Sequence, residues 1–75
     1  MGRMATPTEF EDYQENGLCP YCYAEDVVED AVSLERQIMR RRMLCTKCEL
    51  RWTEIHSKSG EGYVMTGLFL DDAED

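Results

Sequence analysis

Apolar and polar positions recur along this chain with helical spacing in some stretches and a strand-like pattern in others, and each predicts a different element. Residues 6–17, TPTEFEDYQENG, carry helix punctuation: Thr6 as N-cap, Pro7 in the first turn, Glu9 to close a capping box and Gly17 as the stop. Phe10 and Tyr13, three apart, share one face of that helix and leave Glu11 and Glu15 to solvent. The alternative for this segment is a frayed acidic tail. Residues 25–44 are ambiguous. Val27, Ala31, Leu34 and Ile38 recur at helical spacing, with no glycine or proline to mark a turn. Val27, Val28 and Val32 also suit an outgoing strand, with a turn over residues 33–35 and a return strand over 38–44. Past residue 49 the pattern is cleaner: LRWTEIHS reads as a strand, KSGEG as a loop and YVMTGLFL as a second strand, together a hairpin. Trp52, Tyr63, Val64, Leu68 and Phe69 are the expected core. DDAED, residues 71–75, reads as a solvated acidic tail.

Such a chain has 75 residues, too few to bury the apolar surface that would comfortably offset its conformational entropy. A staple is expected, and the four cysteines offer one. Cys19-Pro20-Tyr21-Cys22 and Cys45-Thr46-Lys47-Cys48 repeat one spacing, with 22 residues between the pairs. Two such pairs supply four thiolates to a tetrahedral zinc ion with no position left for water, which makes the site structural rather than catalytic. CPYC alone is also a disulfide-exchange motif, in which an exposed thiolate is stabilised at a helix N-terminus. That chemistry needs no second pair, and it uses a later cis-proline facing the active site; the prolines here are Pro7 and Pro20. An iron site of rubredoxin type is the remaining alternative. His56 is not needed as a ligand. The metal site favours strands over helix for residues 27–44, because each CxxC turn of a zinc ribbon sits at the tip of a hairpin. The expected fold is therefore a small metal-stabilised domain, mainly antiparallel β with two CxxC knuckles and a short N-terminal helix. Its parts are an acidic segment over residues 1–17, a zinc ribbon over 18–70 and the acidic tail over 71–75. Tyr23 and Glu49 follow the two pairs where knuckles often have glycine, and Tyr23 is placed to shield the metal.

Charge changes the picture further. The net charge is −8, but seven of the eight bases lie between residues 36 and 58, among them Arg40, Arg41, Arg42, Lys47 and Arg51. Acidic stretches flank this basic middle on both sides. No run approaches the roughly 20 apolar residues of a membrane span, and MGRMATPTEF has no apolar stretch of the kind a signal peptide needs. With four reduced thiols, a cytoplasmic setting is expected. No serine, histidine and acid constellation suggests catalysis.

The string CPYC followed by VVED, then RRRMLCTKCELRWTE, resembles the N-terminal zinc ribbon of the bacterial transcriptional repressors of ribonucleotide reductase genes. The matching residues include Cys19, Pro20, Cys22, Val27, Val28, Asp30, Arg40–Arg42, Cys45, Cys48, Arg51, Trp52 and Thr53, and the resemblance covers residues 19–54. It implies a DNA-binding ribbon in which Arg40, Arg41, Arg42 and Arg51 contact phosphates or bases. It does not extend to the nucleotide-sensing ATP-cone domain of that family, and Met43 and Leu44 stand where the family tends to have polar residues.

Two functions follow as expectations. One is nucleic-acid binding, DNA in the first place, in a transcription-associated role through Arg40, Arg41, Arg42, Lys47 and Arg51. In a strand Arg40 and Arg42 share one face and Arg41 takes the other. The second is a protein adaptor, whose acidic ends and aromatic hairpin Tyr63–Phe69 dock on a basic partner such as a polymerase. In that case the two acidic arms, residues 1–35 and 59–75, also fold over the arginines and occlude them until a partner intervenes, and deleting residues 59–75 raises DNA affinity.

Overall fold

A computed structural model describes residues 2–73; Glu74 and Asp75, the end of the acidic tail, lie outside the described residues. In chain order the elements are β1 (Arg3–Met4), α1 (Pro7–Asn16), β2 (Val27–Glu35), β3 (Ile38–Cys45), β4 (Arg51–Ser59) and β5 (Gly62–Leu70). The strands form one antiparallel sheet in the order β1-β5-β4-β3-β2.

Helix α1 begins and ends where its punctuation predicts. The Thr6 hydroxyl accepts from the Glu9 amide, the Glu9 carboxylate accepts from the Thr6 amide at 2.8 Å, and Gly17 closes the helix at φ 65°. Arg3 donates to both Glu9 carboxylate oxygens at 2.8 Å, which fastens β1 to the start of α1. That guanidinium, together with the Thr6 amide, holds the Glu9 carboxyl down at about 2. No pattern in the sequence announces β1, which is two residues long.

Residues 27–44 are strands. A helix over residues 25–44 would span about 30 Å and hold the two cysteine pairs apart, whereas a hairpin returns the chain to its starting point. Its turn falls at Arg36 and Gln37 rather than at 33–35, because β2 runs on to Glu35 and pairs directly with Ile38, and a β-bulge at Asp30 interrupts the ladder on the way. The second hairpin is also tighter than the loop KSGEG suggests: Ser59 pairs with Gly62, leaving Gly60 and Glu61 as the turn.

The sheet has two unlike faces. Directly paired residues point to the same side, so Met43, Trp52, Glu54, Leu68 and Leu70 face α1. Arg42, Thr53, Ile55, Phe69 and Met4 face the other way. The core lies on the helix side, around the end of the sheet nearest the cysteines: Tyr13, Cys19, Met43, Cys45, Trp52, Leu68, Leu70 and Ala73 are all buried. Of the expected core, Trp52 and Leu68 are buried. Tyr63 and Val64 are exposed and Phe69 is half-buried on the opposite face, because they lie near the hairpin tip or on the wrong side of the strand. Asp71 to Ala73 are not a free tail. The Thr53 hydroxyl donates to Asp71, the Arg51 amide donates to Asp72, and Ala73 is buried.

Candidate metal centre and basic face

Each cysteine pair sits in a turn of the same construction. After the first pair the Tyr23 amide donates to the Cys19 carbonyl at 2.9 Å, and after the second the Glu49 amide donates to the Cys45 carbonyl at 2.8 Å. Tyr23 and Glu49 take φ of 61° and 62°, the left-handed conformation that glycine adopts more cheaply. In return, amides point at sulfur. Tyr21 and Cys22 donate to Cys19 Sγ at 3.4 and 3.5 Å, and Cys48 donates to Cys45 Sγ at 3.5 Å. The Thr46 amide bonds the Asp26 carbonyl at 2.8 Å and ties the two turns together.

The four sulfurs lie within 4.8 Å of one another. The close approaches run between pairs: Cys19 to Cys48 at 3.7 Å and Cys22 to Cys45 at 3.6 Å. A tetrahedron with metal–sulfur bonds of about 2.3 Å has edges of about 3.8 Å, while a disulfide needs about 2.05 Å. All four thiols are free, so the donor set fits a metal ion. Burial pushes the Cys19 thiol up to about 12, and the amides of Cys48 and Lys47 hold the Cys45 thiol down at about 7. The strain of removing Cys19 and Cys45 from water, both fully buried, is the kind that cation binding relieves.

Tyr21 seals the site from the side. Its ring meets Trp52 edge-on at 6.0 Å, its hydroxyl donates to the Arg51 carbonyl, and that hydroxyl accepts from the Asp72 amide at 3.1 Å. Tyr23, expected to shield the metal, is 62% exposed. His56 is remote from the cysteine cluster and pairs with Glu54 at 2.8 Å.

The basic residues divide as strand geometry requires. Arg41 points to the helix side, where it donates to Glu29 at 2.9 Å and to the buried Glu54 at 3.2 Å. It holds the fold together. Arg40, Arg42 and Arg51 share the opposite, helix-free face. Arg51 pairs with Asp30 at 3.5 Å and Arg40 approaches Glu35 at 4.0 Å. Arg42 and Lys47 have no side-chain partner among the described residues, and Lys47 is exposed in the second cysteine turn. Of the two acidic arms expected to cover the arginines, residues 59–73 do not fold over them: β5 supplies Leu68 and Leu70 to the core. The acids that meet the arginines, Glu29, Asp30 and Glu35, come from the other arm, on β2. The signal is the acids Glu29, Asp30 and Glu35 on β2, each within side-chain reach of an arginine of β3 or β4, and it is visible only once the strand order is known.

No protein-family model, no curated protein and no solved structure matches this chain. No helix of the described residues is long and apolar enough to cross a membrane.

Proposed function

We propose that the chain is a zinc ribbon that binds nucleic acid along the helix-free face of its sheet. Zinc is the ion that four thiolates in two CxxC knuckles favour for a closed, structural site. The observation that carries the nucleic-acid reading is the placement of Arg40, Arg42 and Arg51 on one face, unobstructed by α1. Arg42 and Arg51 are diagonal neighbours across β3 and β4. Thr53, Ile55 and Gly67 lie among them, and small or low side chains let a phosphodiester strand approach the guanidinium groups. The weak pairs to Asp30 and Glu35 are solvent-exposed and separate at little cost. Lys47 extends the basic surface toward the metal.

The test is a titration of labelled duplex and single-stranded DNA with the zinc-loaded protein at two salt concentrations. Replacing Arg40 and Arg42 together by alanine is expected to weaken binding and to lower the magnitude of the salt slope by about one for each phosphate that the variant no longer neutralises. Equal binding by the double variant, or no binding by the native protein, refutes the reading. Metal analysis of colourless protein with one zinc per chain tests the ribbon separately; visible absorbance from iron would refute it.

A further inference from the structure

His56 stands between two methionines. It pairs directly with Met39 on β3 and with Met65 on β5, so the three side chains rise from the helix side of the sheet in one row across three strands. An irregularity in the ladder puts Met65 there. Ile55 pairs with Gly67, and a regular register would then set Met65 against Ser57, on the helix-free face. The bulge between Ile55 and His56 brings Met65 to the side of the imidazole instead, and bulges that re-aim a side chain in this way are over-represented next to functional sites. The imidazole itself is held by its far nitrogen. Nε2 lies 2.8 Å from Glu54 Oε1, and Glu54 is 6% exposed and fixed in turn by Arg41 and the Tyr13 hydroxyl. An ionised carboxylate only accepts, so the neutral ring carries its hydrogen on Nε2 and its lone pair on Nδ1. Nδ1 has no partner among the described residues. It is reachable, because no buried side-chain nitrogen of those residues is left unsatisfied and because His56 and Met65 line an open groove of about 440 Å³ beside α1.

A lone pair with a thioether on each side is a soft donor set. Histidines that ligate metals characteristically donate their second ring N–H to a carboxylate, which fixes both tautomer and ring orientation, and His56 and Glu54 stand in that relation. Because Arg41 takes up the charge of Glu54, the imidazole and the two thioethers offer three uncharged donors, which suit a monovalent ion. Thioethers select Cu(I), imidazole also suits copper, and neither competes with carboxylates for magnesium or calcium. We propose that Met39, His56 and Met65 form a second metal site, for monovalent copper, with His56 Nδ1 and the two methionine sulfurs as ligands and Glu54 as the positioning residue. The three rotatable bonds of methionine let each sulfur swing from its own strand toward the ring between them. The site is independent of the cysteines, whose four sulfurs leave a zinc ion no open position and are themselves fully used. It is also independent of the nucleic-acid reading, since Arg40 and Arg42 point to the opposite face.

The test is an anaerobic titration of the zinc-loaded full chain, isotope-labelled at its methionine methyl groups, with Cu(I) buffered by a competing chelator. One copper per chain is expected to bind while the zinc is retained, with the methyl resonances of Met39 and Met65 shifted and that of Met4, on the opposite face, unmoved. Loss of a group that only supports a ligand costs a metal site about 10–100-fold in affinity, and Met39→Leu with Met65→Leu should cost more than that. Leucine conserves the volume of methionine, so circular dichroism and zinc content of this double variant should stay native. His56→Ala should abolish copper binding. Copper that goes to the cysteines, releasing zinc and leaving the Met39 and Met65 resonances unmoved, overturns the proposal, as does a double leucine variant that binds copper as tightly as the native chain. A native chain that takes up no copper beside its zinc overturns it too, and leaves Met39 and Met65 as packing residues alone.

Discussion

The indole Nε1–H of Trp52 donates to the Tyr13 hydroxyl at 3.0 Å, and that same hydroxyl donates to the Glu54 carboxylate. The rings meet edge-on with centroids 6.0 Å apart. One oxygen thus serves as acceptor and donor at once, joining α1 to β4 through a buried chain that ends on Arg41 and His56. Such a network is strong only when every member is satisfied, and no buried side-chain nitrogen or oxygen of the described residues lacks a partner.

Tyr13→Phe removes the hydroxyl and orphans both the indole N–H and a carboxylate oxygen. A loss of about 1–3 kcal/mol in unfolding free energy is expected, measured by denaturant titration of the metal-loaded protein. The same group sets an alkaline limit. Burial and the Glu54 carboxylate raise the Tyr13 phenol far above its ordinary value. Its stabilisation is therefore complete below about pH 10, the unfolded value, and is lost as pH rises beyond that. Stability of the native protein should fall more steeply between about pH 10 and 12 than that of Tyr13→Phe. Parallel curves would show that the phenol is not held by this environment.

Arg41 and Arg42 are sequence neighbours with opposite duties. Arg41→Ala leaves the buried Glu54 short of its cation, a change of the class that costs about 3–5 kcal/mol when a buried pair is broken; because Arg41 is partly exposed, the lower end is expected. Arg42→Ala touches no partner and should change stability by less than about 0.5 kcal/mol. Thermal melts of the two variants decide the matter. Equal melting points would mean that the Arg41–Glu54 pair contributes nothing.

Removing the metal should unfold the chain. The buried apolar cluster is small, and two of its members, Cys19 and Cys45, belong to the cysteine cluster that could hold the metal. Structural zinc supplies on the order of 10–16 kcal/mol of apparent binding free energy, comparable with the whole stability of an ordinary domain at about 5–15 kcal/mol. A chelator should abolish the β-sheet signal in circular dichroism, and one equivalent of zinc should restore it. Cys45→Ser should be unfolded with or without zinc. A chelated protein that keeps its sheet would show that the fold does not depend on metal.

Local chemistry is readable in the sequence, and pairing is not. Thr6, Pro7, Glu9 and Gly17 act within one helix, so their spacing states their role. The two cysteine pairs do so across 22 residues because identical turns are recognisable one at a time. The separation of Arg41 from Arg40 and Arg42 follows from strand alternation alone. The bulges at Asp30 and between Ile55 and His56 carry no composition signal, yet they decide which residues of β2 and β5 face the helix. The pattern of apolar residues points Tyr63 and Val64 inward because it does not show that they lie near a hairpin tip, away from the core, and it shows neither the partners of Glu54 nor the pairing of β2 acids with arginines.

Tyr23 and Glu49 offer the last test, of strain in the cysteine turns. Both hold φ near 60°, where a Cβ crowds the following carbonyl and costs a non-glycine residue about 1–2 kcal/mol. Neither side chain makes a hydrogen bond or ion pair among the described residues, and both are exposed, so glycine would sacrifice little. Its greater freedom in the unfolded chain offsets part of the relief, by roughly 0.5–1 kcal/mol. Tyr23→Gly and Glu49→Gly should each stabilise the metal-loaded protein by up to about 1 kcal/mol. Because the two side chains share no partner, their effects should add. Chelator competition provides the second readout, because strain relieved in a ligand turn appears as tighter zinc binding. Destabilisation by both substitutions would mean that the side chains, and not only the backbone, hold these turns.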